Sequence, residues 1–320
     1  MKKSKPRKTK PQGKNSSSGG SSARPRREDR VIGPIIAESG GRPTRAERLD
    51  EQKPAIPQAI EPGPEGAGSY HQLSHDLERN GKLDAAVKAA SRAVELDPGR
   101  AQFHLRRSQM LSRCQDMPAA IEAAGRAVAL QPQDAAFHRH LGQLLTQTGR
   151  LDDAEAAIRR AIELAPQDAD LYFLLSHMLG RAERPAEAEA AIRQAITAAP
   201  DIAGCHAHLS YLLDRSGDLD GALQAASRAV ELDPDGAQFH LRHSQLLSRC
   251  HDIPASIEAA GRAVALKPQN AAFHGHLGQL LAQTGRLDDA EAAIRRAIEL
   301  APENAGFQQA LERILTSRAL

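Results

Sequence analysis

The chain has no tryptophan, and its aromatic residues amount to 3% of 320. A core with so few rings has to be assembled from Ala, Leu, Ile and Val, which suits closely packed helices. Cysteine is nearly absent: Cys114, Cys205 and Cys250 are an odd number, form no C-x-x-C pair, and therefore supply neither a disulfide framework nor a zinc site. Free thiols of this kind fit a reducing compartment. No apolar run approaches the ~20 residues that a membrane helix requires, and the N-terminus lacks the apolar segment of a secretory signal. A cytoplasmic location is the expectation, and the abundance of Ala and Arg points to a GC-rich bacterial source. Catalytic patterns are also missing. There is no glycine-rich phosphate loop after a strand, no nucleophile–base pair, and no glutamate that would complete a zinc-protease motif. The chain reads as a non-enzyme with no cofactor and no metal.

What is present is a period. Pro98, Pro132, Pro166, Pro200, Pro234, Pro268 and Pro302 follow one another at intervals of 34 residues, and a fixed period of this size marks a stacked helical array. Residues 135–168, AAFHRHLGQLLTQTGRLDDAEAAIRRAIELAPQD, show the pattern most clearly. Phe137, Leu141, Leu144 and Leu145 have helical spacing. Thr148-Gly149-Arg150 interrupts the run, with glycine free to take a positive φ. Leu151, Ala154, Ile158, Ala161, Ile162 and Leu164 resume the spacing. Asp152 and Asp153 open this second helix at the positive end of its dipole, and Pro166 closes it. Each period is thus two antiparallel helices whose apolar stripes are hidden only by stacking on neighbouring periods. Pro118, Pro185 and Pro254 fall in first turns of second helices, where proline is tolerated.

Leu141-Gly142, Leu145, Gly149, Leu151, Ala154, Ala161 and Pro166 fall on the motif positions of the tetratricopeptide repeat family, which the chain resembles over 67–304. The resemblance implies an all-α solenoid, a right-handed superhelix of antiparallel helix pairs. Seven repeats are expected at 67–100, 101–134, 135–168, 169–202, 203–236, 237–270 and 271–304, followed by a capping helix at 305–320 that completes the array. Departures occur at the early aromatic position, which is His104, His138, His206, His240 and His274, and at the turn glycine, which is Gln115, Glu183 and His251; locally weaker turns are expected at those three. The lysine–asparagine clamp by which some members hold a C-terminal carboxylate is also absent, since Leu105, Gln109 and His140 stand at corresponding places. The run 141–166 is similar to repeat regions that precede glycosyltransferase and sulfotransferase domains elsewhere, so an accessory, substrate-presenting partner of a separately encoded transferase is an alternative reading.

Charge divides the chain. Residues 1–30 hold eleven Lys/Arg and two acids, a net of +9. The total of +2 leaves −7 on the remainder. The basic tail is rich in Lys, Ser, Gly and Pro and is expected to be a disordered arm, followed at 31–66 by a Pro/Gly-rich linker with one apolar island, 31–36. Three roles stay open for the arm: solubilising the chain, attracting an anionic polymer or lipid, or folding back on the acidic body. Without interleaved aromatics, sequence-specific reading of nucleic acid is not expected.

In the family resembled, first helices line the concave surface. Carried over, this places Arg79, Arg113, Arg181, Arg215 and Arg249 in one ladder and Gln109, Gln143, Gln245, Gln279, His177 and Tyr211 in another, one turn earlier. Arginine forks carboxylates, and glutamine offers a donor and an acceptor to a peptide backbone. The expected function is a scaffold or adaptor holding an extended, anionic peptide segment, with the competing reading that the arginines pair internally with acids such as Glu78 or Asp214. Residues 83–166 and 219–302 align at an offset of 136 with 70 identities in 84 positions, so a repetitive or dimeric protein partner is a further expectation, against the alternative of a duplication that has not diverged. His138/His140, His206/His208 and His274/His276 are spaced two apart, which puts them on different helix faces and argues for packed rings over ligands.

Overall fold

The computed structural model describes residues 66–319. The basic tail, the 31–36 island and all but the last residue of the linker lie outside the described residues. Among those described there are fifteen α-helices and no strand. They pair as α1 (Ala67–Arg79) with α2 (Leu83–Leu96), α3 (Ala101–Arg113) with α4 (Met117–Leu130), α5 (Ala135–Gln147) with α6 (Leu151–Leu164), and α7 (Ala169–Arg181) with α8 (Pro185–Ala198). The series continues with α9 (Ala203–Ser216) and α10 (Leu219–Leu232), α11 (Ala237–Arg249) and α12 (Ile253–Leu266), and α13 (Ala271–Gln283) and α14 (Leu287–Leu300), and ends on α15 (Ala305–Ala319). Every helix packs on its chain neighbours, within a pair and between pairs, as a solenoid requires.

Alanine lets the helices approach. Ala86, Ala120, Ala154, Ala188, Ala222 and Ala290 near the start of second helices, and Ala93, Ala127, Ala161, Ala195, Ala229, Ala263 and Ala297 near their ends, are fully buried. Larger groups fill the gaps beside them: Met110, Leu144, Met178, Leu246 and Leu280 are buried at one position of successive first helices. Gly142 marks a close crossing within a pair, where a Cβ would stand 2.5 Å from Ile158 Cγ1. Helix starts are fixed locally. The side chains of Asp116, Asp134, Asp168, Asp218, Asp252 and Asn270 accept hydrogen bonds from backbone N–H groups of the first turn, satisfying donors that have no intrahelical partner.

The histidines at the early aromatic position are structural. Nε2 of His104, His138, His206, His240 and His274 lies 2.8–3.0 Å from the carbonyl of the proline that closes the preceding period. Tyr172 and Gln308 donate to the same place. A proline carbonyl at the end of a helix pair is thereby satisfied from the next pair, which ties consecutive periods together.

The turn between paired helices needs a left-handed residue. Gly81, Gly149, Gly217 and Gly285 take φ of 72–93°, and Gln115, Glu183 and His251 adopt φ of 65°, 58° and 62° at the equivalent places. The turn geometry is therefore unchanged, and the departure from glycine is a strain of roughly 1–2 kcal/mol per residue. Glycine would remove it while adding unfolded-chain entropy. The triple variant Gln115→Gly, Glu183→Gly, His251→Gly is expected to gain about 0.5–1 kcal/mol per site in urea denaturation followed by helicity. A lower midpoint would contradict this account of the turns.

Candidate functional site

Successive periods meet chiefly where a second helix packs on the next first helix, and first helices also touch one another, α5 with α7 and α13 with α15. Five cross-period bonds follow one rule. The residue 32 positions after a buried serine is Arg or His and bonds its hydroxyl: Arg106 Nε to Ser74 (2.9 Å), His140 to Ser108 (2.8 Å), His208 to Ser176 (3.1 Å), Arg242 Nε to Ser210 (3.2 Å) and His276 to Ser244 (2.8 Å). Where the first partner is Gly142 or Gly278, the second is Leu174 or Ala310. Ser108 Oγ–H is committed to the Ala120 carbonyl at 2.7 Å, and Ser176 Oγ–H to the Ala188 carbonyl at 2.7 Å. Nε2 of His140 and of His208 must then be the donor. Burial, reinforced by Arg139, pushes the His140 ring down to about 4, and burial, reinforced by His177, does the same to His208. Burial also lowers His276.

Arg106 and Arg242 require more than a serine, because each is a cation held at the interface between periods. Arg106 donates to Glu78 at 2.7 Å and to the Ser74 carbonyl at 2.7 Å. Arg242 donates to Asp214 at 3.0 Å and to the Ser210 carbonyl at 3.0 Å. At the three histidine interfaces the position of the acid is Ser112, Gly180 or Ser248. An acid is present only where the partner of the serine is arginine. Sequence reasoning missed this network; its signal was the joint change at spacings of 28 and 32.

The arginine ladder separates into four environments. Arg113 bonds Glu78 and Arg249 pairs with Asp214 across a period, so the internal pairing expected as the competing reading occurs at these two. Arg79 bonds Asp76 in its own helix. Arg181 donates to the Thr146 carbonyl. Arg215 stands 5.8 Å from the centre of the Tyr211 ring, with Arg242 at 6.0 Å from the same ring. In the second ladder Gln143, Gln245, Gln279 and Tyr211 are exposed, whereas Gln109 and His177 are half-buried. His177 is lowered by burial and by Arg181, and its ring lies 6.4 Å from that of His208.

Electrostatics distinguish the two helix sets. The seven first helices α1 to α13 contain nine arginines and four carboxylates, and the seven second helices α2 to α14 contain ten bases and sixteen carboxylates. The first-helix set is thus net basic and the second-helix set net acidic. Many second-helix charges pair along their own helix, such as Arg159 with Glu155 and Arg295 with Glu291 at 2.6–2.7 Å, an arrangement typical of solvated faces. No group of three or more His, Cys, Asp or Glu among the described residues could hold a metal ion. No helix among them is long and apolar enough to cross a membrane.

The family model for the tetratricopeptide repeat matches residues 71–126, 113–169, 173–237 and 241–305. No curated protein matches the sequence. Among solved structures, yeast Tom70 superposes with a TM-score of 0.60 at 20% identity over 80% of this chain and 55% of that one. The chain therefore spans little more than half the length of Tom70. A tetratricopeptide repeat protein from Parabacteroides merdae gives a TM-score of 0.58 at 11% identity over 78% of this chain and 98% of that one. Pseudomonas aeruginosa PilF gives 0.56 at 17% identity, over 68% and 97%. These likenesses speak for the fold.

Proposed function

The chain belongs to the tetratricopeptide repeat family, and from that premise we propose that it is an interaction scaffold whose first-helix face holds an extended, acidic peptide segment of a partner protein. The observation that carries this reading is the separation of charge between the two helix sets, nine arginines against four carboxylates on one and ten bases against sixteen on the other. An acidic segment is drawn to the first and repelled by the second. Exposed Gln143, Gln245 and Gln279 supply donors and acceptors at regular intervals for an extended backbone.

Arg113 and Arg249 are the residues to alter, and glutamine is the replacement. Gln147 and Gln283 already occupy the equivalent place in other periods, whereas glutamate would face Glu78 or Asp214. Affinity capture from the source organism's lysate, with the full chain and with Arg113→Gln/Arg249→Gln as baits, tests the reading. A protein with an acidic segment is expected on the unaltered bait and depleted at least tenfold on the variant. Equal recovery on both baits would move the binding surface away from these arginines.

A further inference from the structure

We infer that this face carries two equivalent subsites for an acidic segment, one at Arg113 and one at Arg249, so that one chain engages a partner presenting the same segment twice. The inference rests on the groove reading above.

Both arginines sit in the same constellation. Glu78 accepts from buried Arg106 and from Arg113, and Asp214 is paired with Arg242 and Arg249. One carboxylate between two guanidiniums leaves one positive charge in excess. Its display is one-sided, because the inner arginines are 4% and 20% exposed while Arg113 and Arg249 are 54% and 53% exposed. Each outer guanidinium has five donors and keeps some for an incoming carboxylate. The other ladder arginines differ: Arg79 has an acid of its own helix, Arg181 is occupied by a backbone carbonyl, and Arg215 lies along a ring.

A duplication that has simply not diverged does not account for the match. The acids lie on α1 and α9, which precede the closely matching segments and differ at seven of thirteen aligned positions. Those helices nevertheless both supply the serine, the acid and the following arginine (Ser74, Glu78, Arg79; Ser210, Asp214, Arg215). Beside each subsite a glutamine occupies the same place, Gln109 and Gln245, and a second follows one period on, Gln143 and Gln279.

Four periods separate the subsites. With neighbouring helices 8–10 Å apart, the span is on the order of 40 Å. An extended connection therefore needs at least about 12 residues. Within that limit, linking two segments makes the second binding event intramolecular and raises affinity without a new contact.

The test is isothermal titration of the full chain with a hexaglutamate peptide, with two hexaglutamate blocks joined by 4 or by 40 Gly/Ser residues, and with hexaglutamate on both strands of a dimeric coiled coil. Relative to the double variant, whose residual uptake measures the basic residues 1–30, two further hexaglutamates per chain are expected for the unaltered chain and one for Arg113→Gln or Arg249→Gln. The 40-residue tandem should bind one per chain at least tenfold more tightly than the single block, and either single substitution should remove that gain. The 4-residue tandem, whose two blocks cannot both seat in full across that span, should gain less than the 40-residue one. A gain with the coiled coil would mark a dimeric source, and its absence beside a gain with the long tandem a repetitive one. One further hexaglutamate per unaltered chain, or complete loss on a single substitution, overturns the twin subsites and leaves the groove reading standing. No binding to the unaltered chain, or binding that the double variant leaves unchanged, overturns both.

Discussion

The array will lose stability as pH falls from 6.5 to 4, and the variant His140→Leu/His208→Leu will lose much less. Both rings are pushed down to about 4 in the fold, chiefly by burial, against an unfolded value of about 6.5. Between those limits the unfolded chain binds more protons than the folded one, so stability is complete above pH 6.5 and falls as pH drops towards 4. At 1.36 kcal/mol per pKa unit, each ring contributes about 3 kcal/mol to the loss. His177, His243 and His276 are lowered by burial as well and add to it in the same direction. The substitution is tolerated at neutral pH because Ser108 and Ser176 retain the Ala120 and Ala188 carbonyls as acceptors, and Leu174 already occupies the equivalent position in another period. The check is the urea midpoint followed by helicity at pH 7.5, 6.0, 5.0 and 4.0. Parallel curves for the two proteins would mean that these rings titrate normally in the fold.

Asp214→Ser will destabilise the array by about 3 kcal/mol, and Asp214→Ser/Arg242→His will restore most of it. Breaking a buried pair by removing one partner leaves an uncompensated charge and costs about 3–5 kcal/mol. Here the pair is part-buried and Arg242 keeps the Ser210 carbonyl and hydroxyl, which places the effect at the lower end. The double variant recreates the arrangement at His276, where the ring meets Ser244 and the acid's position is Ser248. Arg249 also loses its partner in both variants, but it is exposed and adds little. Urea denaturation of the two single variants, the double variant and the unaltered chain gives a double-mutant cycle. Additive effects would show that Asp214 and Arg242 are not coupled.

Helices, their order and the turns were legible in the sequence because one local pattern recurs, and because Gly149, Pro166 and the paired acids Asp152 and Asp153 act within a turn or two of themselves. The family assignment followed from the same residues. The ladders were legible only as positions. Sequence spacing places Arg113 and Arg181 at equivalent points, yet one meets Glu78 and the other the Thr146 carbonyl, because their neighbours across the period differ. The histidines were expected to be packed rings; of His138, His206 and His274 only His138 is buried, and their bonds to a proline carbonyl, like those of other histidines to a serine of the preceding period, were not foreseen. Those partners lie on another helix, and only the register of one period on the next, a spacing of 32, brings them together. Once that register is known, the alternation of Arg106, His140, Leu174, His208, Arg242, His276 and Ala310 with Ser, Ser, Gly, Ser, Ser, Ser and Gly becomes readable in the sequence alone.

The central claim is that an acidic segment is held by the first-helix face. The most direct measurement is a side-by-side titration of one fluorescent acidic peptide, hexaglutamate, against the unaltered chain, Arg113→Gln/Arg249→Gln on first helices, and Arg159→Gln/Arg295→Gln on second helices. The four arginines are similarly exposed, and both variants remove two charges, so general electrostatics affects them alike. At about 1 kcal/mol or more for each charge-assisted bond lost, the first variant should bind at least tenfold more weakly and the second within about twofold of the unaltered chain. Equal weakening of the two variants, or a larger loss for the second, would contradict the account.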